Sequence, residues 1–402
     1  AVLDDQGGEQ SRFPQIEDVH PRALAAVGGQ PVQRTPVPAY DPDPALYEGL
    51  SWPVPQMPPH LFDEGKRLRE AIQMGVARGF TVYCMDDKGY FLAGGFGSGK
   101  LESSRRRLSF CDPEMPAMAA ARARDTLGNF PEFSGILLDG PDYKWEIRPG
   151  HRDDMWVEVL DDEFSRRFAE SRGISMQRVL DGRDRFQERL RSLSPAAVDD
   201  FVRNRAGVVG AVEWWLEAPD VVEWMRFKFA AIEWHLSSEC FGIKEHLPDL
   251  DVLISARAPV IAPLCGHNLR RRQAYSDYQV VRQYWWSGGV AGIKGTVADW
   301  VNTLVEWNSG LSPEEAARWF SAAFDYPMPS DYPPSAYDEE ATDEWFATSV
   351  RDQTRKMLAA TGGPERLIPA VGLEHFGSNW LSATELGRLL AEMQSQGITR
   401  YE

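Results

Sequence analysis

The stretch Phe133-Ser134-Gly135-Ile136-Leu137-Leu138-Asp139-Gly140-Pro141-Asp142 decides the fold class. An apolar run of strand length, 134–138, ends on a carboxylate. A Gly-Pro pair turns the chain, and a second carboxylate follows. A short continuous apolar run between turn signals reads as a strand buried on both faces, which is how strands of parallel sheets look.

The same beat recurs on either side. Upstream, 115–127 reads as a helix, and Asp112-Pro113-Glu114 as its start. Leu108-Ser109-Phe110-Cys111 reads as a short strand. Phe80 to Met85 is a strand ending at Asp86-Asp87, behind a helix over 61–78 that Gly79 ends. Ala1-Val2-Leu3, ending at Asp4-Asp5, is a first short run, and the proline-rich segment to Pro59 lacks periodicity. Downstream, 143–210 is charged and reads as a mainly helical insertion, with a long helix over 219–239. Strands are expected over 251–256, 278–286, 367–373 and 398–401. Helices are expected over 297–307, 313–324, 343–360 and 383–396.

Eight candidate strands alternating with helices predict an α/β protein with a parallel sheet. Eight βα units predict a (β/α)8 TIM barrel with long loop insertions, 1–402 forming a single catalytic domain. A doubly wound open sheet is the alternative, but it lacks a nucleotide fingerprint. Gly94-Gly95-Phe96-Gly97-Ser98-Gly99-Lys100 imitates a phosphate loop, yet Leu101 stands where Ser or Thr must hold Mg²⁺.

Composition narrows the function. Lys and Arg number 43 against 60 Asp and Glu, a net charge of −17, which disfavours nucleic acid and anionic membranes as partners. The runs 105–107 and 270–272, all Arg, read as solvated faces or as contacts for an anionic substrate. No apolar stretch reaches the roughly 18 residues of a membrane span. No signal peptide is visible, so the expected location is cytoplasmic, or secreted if a leader was removed. Four widely spaced cysteines fit no zinc spacing and read as free thiols. No paired-His metal motif and no Gly-x-Ser-x-Gly elbow occurs, so no cofactor is expected. The 14 Trp, several clustered, suit a large core or a pocket for a flat hydroxylated ligand.

In barrels the active site forms at the carboxyl ends of the strands. Here those ends carry Asp4, Asp5, Asp86, Asp87, Asp112, Asp139, Asp142, Arg257, Glu374 and His375, with Glu402 a further candidate. Converging carboxylates are what glycoside hydrolysis needs: one donates a proton, the other attacks or activates water. An Asp after a strand also starts turns and caps helices, a competing explanation for each. Asp139 stands out because two acids flank a rigid Gly-Pro turn. Tyr284, Trp285 and Trp286 end a strand where aromatic faces could stack on a sugar ring. Arg257 and His267-Asn268 could bond hydroxyls or a carboxylate. Trp214-Trp215 with Glu213 and Glu217 reads as an amphipathic helix or a lid.

The stretch 108–113, the Ala- and Arg-rich helix after it, and 133–141 resemble the glycoside-hydrolase barrels that are distantly fucosidase-like. Their later sections are echoed by Ile254-Ser255-Ala256, by Gln283-Tyr284-Trp285-Trp286 and by 368–374. The resemblance is loose over 60–402 and specific only over 108–141. It implies a nucleophilic Asp139; with the strand-end reading, Asp139 is the expected nucleophile or base, Glu374 the first candidate for the acid and Asp142 the second. Asp86, Asp87, Arg257, His267, Tyr284, Trp285, Trp286 and His375 would bind the carbohydrate substrate. Leu137-Leu138 stands where those families carry Trp-Phe. Two alternatives stay open: a metal-assisted barrel hydrolase or lyase, and a silent carbohydrate-binding barrel. A homo-oligomer is compatible with either.

Overall fold

The computed structural model describes residues 40–51, 54, 65–87, 109–143, 145, 147, 161–204, 213, 215–282, 293–328, 343–371 and 382–402. A 3-10 turn (Pro44–Tyr47) precedes α1 (Lys66–Ala77) and β1 (Tyr83–Asp87). There follow α2 (Glu114–Asn129), β2 (Gly135–Asp139), α3 (Glu163–Ser171), α4 (Met176–Arg191), α5 (Pro195–Asn204) and α6 (Pro219–Lys244). Then come β3 (Asp251–Ala256), α7 (Leu269–Arg272), β4 (Tyr278–Arg282), α8 (Ile293–Trp307) and α9 (Pro313–Phe324). A π-turn (Phe346–Val350) leads into α10 (Arg351–Thr361), then β5 (Leu367–Ala370) and α11 (Ala383–Ser395).

The five strands form one parallel sheet in sequence order, β1-β2-β3-β4-β5. The chain adds to it beyond β5. Glu402 N–H donates to Pro369 C=O, and Val371 N–H donates to Glu402 C=O, both at 3.0 Å. That is a parallel bridge between Ala370 and Glu402, where a strand over 398–401 is expected. A doubly wound sheet reverses its strand order at a switch point. The described strands never reverse. The fold is therefore α/β with a sheet that steps one way.

Alternation along the strands separates two faces. Ile136, Leu138, Val252, Ile254, Ala256, Val281 and Leu367 join the helices in the large core. Leu137, Leu253, Val280, Ile368 and Ala370, with Tyr83 and Tyr278, form a separate cluster on the opposite face. Covered on both sides, β2 and β3 are apolar almost throughout, as the sequence pattern requires.

Helix α6 is the spine of the large core, packed on α2 and α4. Pro219 opens it, where a missing N–H costs nothing. Gly182 on α4 meets α6 so closely that a Cβ there would lie 1.9 Å from the Asp220 carbonyl oxygen. Trp224, Trp300 and Trp319 are fully buried, each contributing up to about 3 kcal/mol from apolar burial. Capping boxes start α9 at Ser312 and α11 at Ser382.

Two expectations change. Residues 109–111 form a turn, not a strand: Asp112 N–H returns to Ser109 C=O at 3.0 Å, and Asp112 Oδ1 accepts from Glu114 N–H to start α2. The local polar groups satisfy one another, so nothing is left for a ladder. Arg272, the last of the three arginines at 270–272, is fully buried and donates to Ser255 C=O at 3.1 Å. The expected run 1–3, with Asp4 and Asp5 at its end, lies outside the described residues. So do 205–212, the junction that closes the 143–210 segment, whose described part is largely helical. No helix of the described residues is long and apolar enough to cross a membrane. All four cysteines are free thiols.

Candidate functional site

Asp139 sits at the carboxyl end of β2, in line with Leu137 and so on the face opposite the large core. Arg282 holds the matching place on β4, two steps past Val280. The two side chains meet in an ion pair through Asp139 Oδ1. Each keeps only a small exposed fraction, 13% for the acid and 16% for the base. Glu402, bridged to Ala370, lies on this face as well. Burial raises its pKa, and the Arg282 guanidinium opposes that rise.

After Asp139 the chain turns at Gly140, whose φ of 93° is the left-handed conformation that favours glycine. The turn swings Asp142 back over β3. Arg257, one residue past β3, reaches it through Nε at 2.9 Å and Nη2 at 2.8 Å, both to Oδ2. His267 Nε2 lies 2.5 Å from Asp142 Oδ1. His267 Nδ1 accepts from Arg257 N–H at 3.4 Å, which assigns the proton to Nε2. The Arg257 guanidinium also covers the Trp145 ring, 4.1 Å from its centroid.

The electrostatics of this cluster are one-sided. Burial pushes the Asp142 carboxyl up, but Arg257, His267 and Arg272 outweigh it and hold the acid far below the usual carboxylate range. His267 moves down to about 4, first through burial and then through Arg272. At neutral pH the cluster is an anion held by a neutral imidazole and a guanidinium. An ionised Asp142 does not carry the proton that the second candidate for the acid would need.

The structure brings Asp139, Asp142, Arg257 and His267 to neighbouring strand ends. His267 is fully buried with both ring nitrogens engaged. It positions Asp142 and Arg257 and offers no donor to a ligand, contrary to the binding role expected of it. Asn268 caps α7 through Arg271 N–H. Asp86 is not in the cluster. It alternates to the helix side, where it is buried against Arg122 of α2. Asp87 pairs with Asp139 in register. Glu374, His375, Tyr284, Trp285 and Trp286 lie outside the described residues, as do the glycine-rich segment and 105–107. Trp215 stacks on Phe186 with ring centroids 6.2 Å apart, as a packed helix would place it.

Arg282 and the buried Arg272 were not singled out by sequence. Arg282 carried half a signal: counting by twos from Tyr278 through Val280 puts it on one face, but the strand expected over 278–286 ran past it. Arg272 carried none, because nothing in three consecutive arginines says which one turns inward.

Carboxylates beside guanidinium donors at the carboxyl ends of parallel strands can bind polyhydroxylated or anionic groups. They can also supply base or nucleophile chemistry at Asp139. Among the described residues, no group of three or more His, Cys, Asp or Glu is placed to hold a metal ion. Comparison with models of known families and with curated proteins finds no match to this chain.

Proposed function

We propose that this protein is a glycoside hydrolase on a (β/α)8 barrel, with Asp139 as nucleophile or general base. The observation that supports it best is the gathering of Asp139, Arg282 and Glu402 on one face at the carboxyl ends of a sheet ordered β1 to β5 without reversal. In this reading Arg282 fixes the Asp139 carboxylate and offers a donor to a substrate hydroxyl. Arg257, held by Asp142 and Trp145, is a second donor. The acid is Glu374, which follows the strand expected over 367–373, or Glu402, whose raised pKa favours the protonated form that a general acid needs.

The test is product release from a panel of aryl glycosides and oligosaccharides by wild type and Asp139→Asn. Turnover that falls by about 10³-fold or more in the variant supports the reading. Equal turnover removes Asp139 from the mechanism. A metal-assisted hydrolase loses activity to a chelator, whereas a two-carboxylate glycosidase keeps it.

A second reading has its own support: Asp139 and Asp142 are both already held in ion pairs with arginines. A catalytically silent carbohydrate-binding barrel would use them as fixed acceptors. It predicts sugar binding without turnover, unchanged in rank order by Asp139→Asn.

A further inference from the structure

Away from the strand ends, the helical layer holds a cavity of about 210 Å³. The helices α4, α5, α6 and α9 contribute Phe186, Phe201, Met225 and Trp319, and Trp215 precedes α6. The segment after β3 closes it with Pro259, Val260, Pro263 and Leu264. Among the described residues, no charged side chain lines it. A dry apolar cavity of roughly 150 Å³ is enough to bind benzene, so this one has room for a second fused ring.

The walls are held against collapse. Phe186 packs on the fully buried Trp224, centroids 5.6 Å apart. Phe324, another wall residue, is held by Phe320 at 4.5 Å and by Trp300 at 5.0 Å. Trp319 is fixed between Phe201 at 6.0 Å and Phe324 at 6.3 Å. The far wall is fastened where Val260 N–H donates to the buried Gln353 Oε1 at 3.1 Å. Rings locked by their neighbours cannot turn inward to fill the space. The cavity is therefore pre-formed, and the conformational cost of filling it is small.

We propose that this cavity is a binding site for an uncharged aromatic group of one or two fused rings. Ring faces and edges on several sides suit a flat π-system in offset or edge-on contact. An uncharged lining, as the described residues give it, favours a neutral group over an ionised one. The group arrives either as a free small molecule or as the aromatic part of a larger, polar molecule. The inference is independent of the glycosidase reading, because binding is measured without turnover.

The probe is indole, titrated into the full chain by calorimetry, with the tryptophan side-chain ¹⁵N–¹H signals followed in parallel. Saturable one-to-one binding is expected, with Trp215 and Trp319 shifting most. Ala323→Phe, which fills the cavity from α9, weakens binding by about tenfold or more. Phe241→Ala, at an exposed ring elsewhere on α6, leaves it unchanged. Absence of saturable binding to wild type, equal affinity in Ala323→Phe that folds, or shifts confined to other tryptophans would each overturn the proposal. The signal map needs no variant, so it decides the matter even if Ala323→Phe does not fold. Indoxyl β-glucoside distinguishes the sources. Binding that indole competes away identifies a ring attached to a polar molecule. Binding of indole alone identifies a free small molecule.

Discussion

Arg282 of β4 pairs with Asp139 of β2 across the whole width of β3. The contact ties together two strand ends that are not neighbours in the sheet. Removing one partner leaves the other charged and largely desolvated. Arg282→Met is expected to cost about 3 kcal/mol in urea unfolding. Arg282→Met with Asp139→Leu should recover most of that loss. A single variant as stable as wild type would mean that water already screens the pair.

The pH dependence follows from His267. Its folded-state pKa is lowered to about 4, chiefly by burial, against an ordinary value of 6.5. Between these values the unfolded chain binds a proton that the folded chain refuses. Stability is therefore complete above pH 6.5 and falls as the pH drops towards 4, by about 3 kcal/mol. The lowered pKa of Asp142 acts in the same sense below the ordinary carboxylate range. Chemical denaturation at a series of pH values should show this slope, and His267→Gln should flatten it between pH 6.5 and 4.

Two glycines should respond oppositely to alanine. At Gly182 the new Cβ would lie 1.9 Å from the Asp220 carbonyl oxygen, so α4 and α6 must separate. Gly182→Ala is expected to destabilise by about 3 kcal/mol. At Gly387, within α11, a Cβ meets nothing within 4 Å. Gly387→Ala should stabilise by about 0.5 kcal/mol, because the unfolded chain loses freedom and nothing is crowded. Thermal midpoints of the two variants on opposite sides of wild type would bear this out.

Ser312 opens α9 with a reciprocal pair of bonds: its Oγ accepts from Glu315 N–H at 3.2 Å, and Glu315 Oε2 accepts from Ser312 N–H at 2.8 Å. Ser312→Ala should cost about 1 kcal/mol. Because α9 forms one wall of the aromatic cavity, indole affinity measured in the same variant reports whether that wall has moved.

Sequence alone determined most of the local structure. The strand over 251–256 and the helix over 313–324 stand where periodicity and turn residues put them. The strand ending at Asp139 was legible because its side chains are apolar on both faces, which only a covered parallel strand requires. The run at 108–111 misled, since a short apolar stretch reads alike as strand or turn until its hydrogen bonds are known.

Tertiary structure decided the site. Sequence marked every acid at a strand end as a candidate, because each Asp looks the same along the chain. Alternation then sent Asp86 towards Arg122 and Asp139 towards Arg282, so two acids of similar appearance lie on opposite faces of one sheet. The pairing of Asp142 with Arg257 spans 115 residues, and that of Asp139 with Arg282 joins strands two places apart. The charge state of such groups depends on burial and on which guanidinium arrives from elsewhere. Those quantities exist only once the chain has folded.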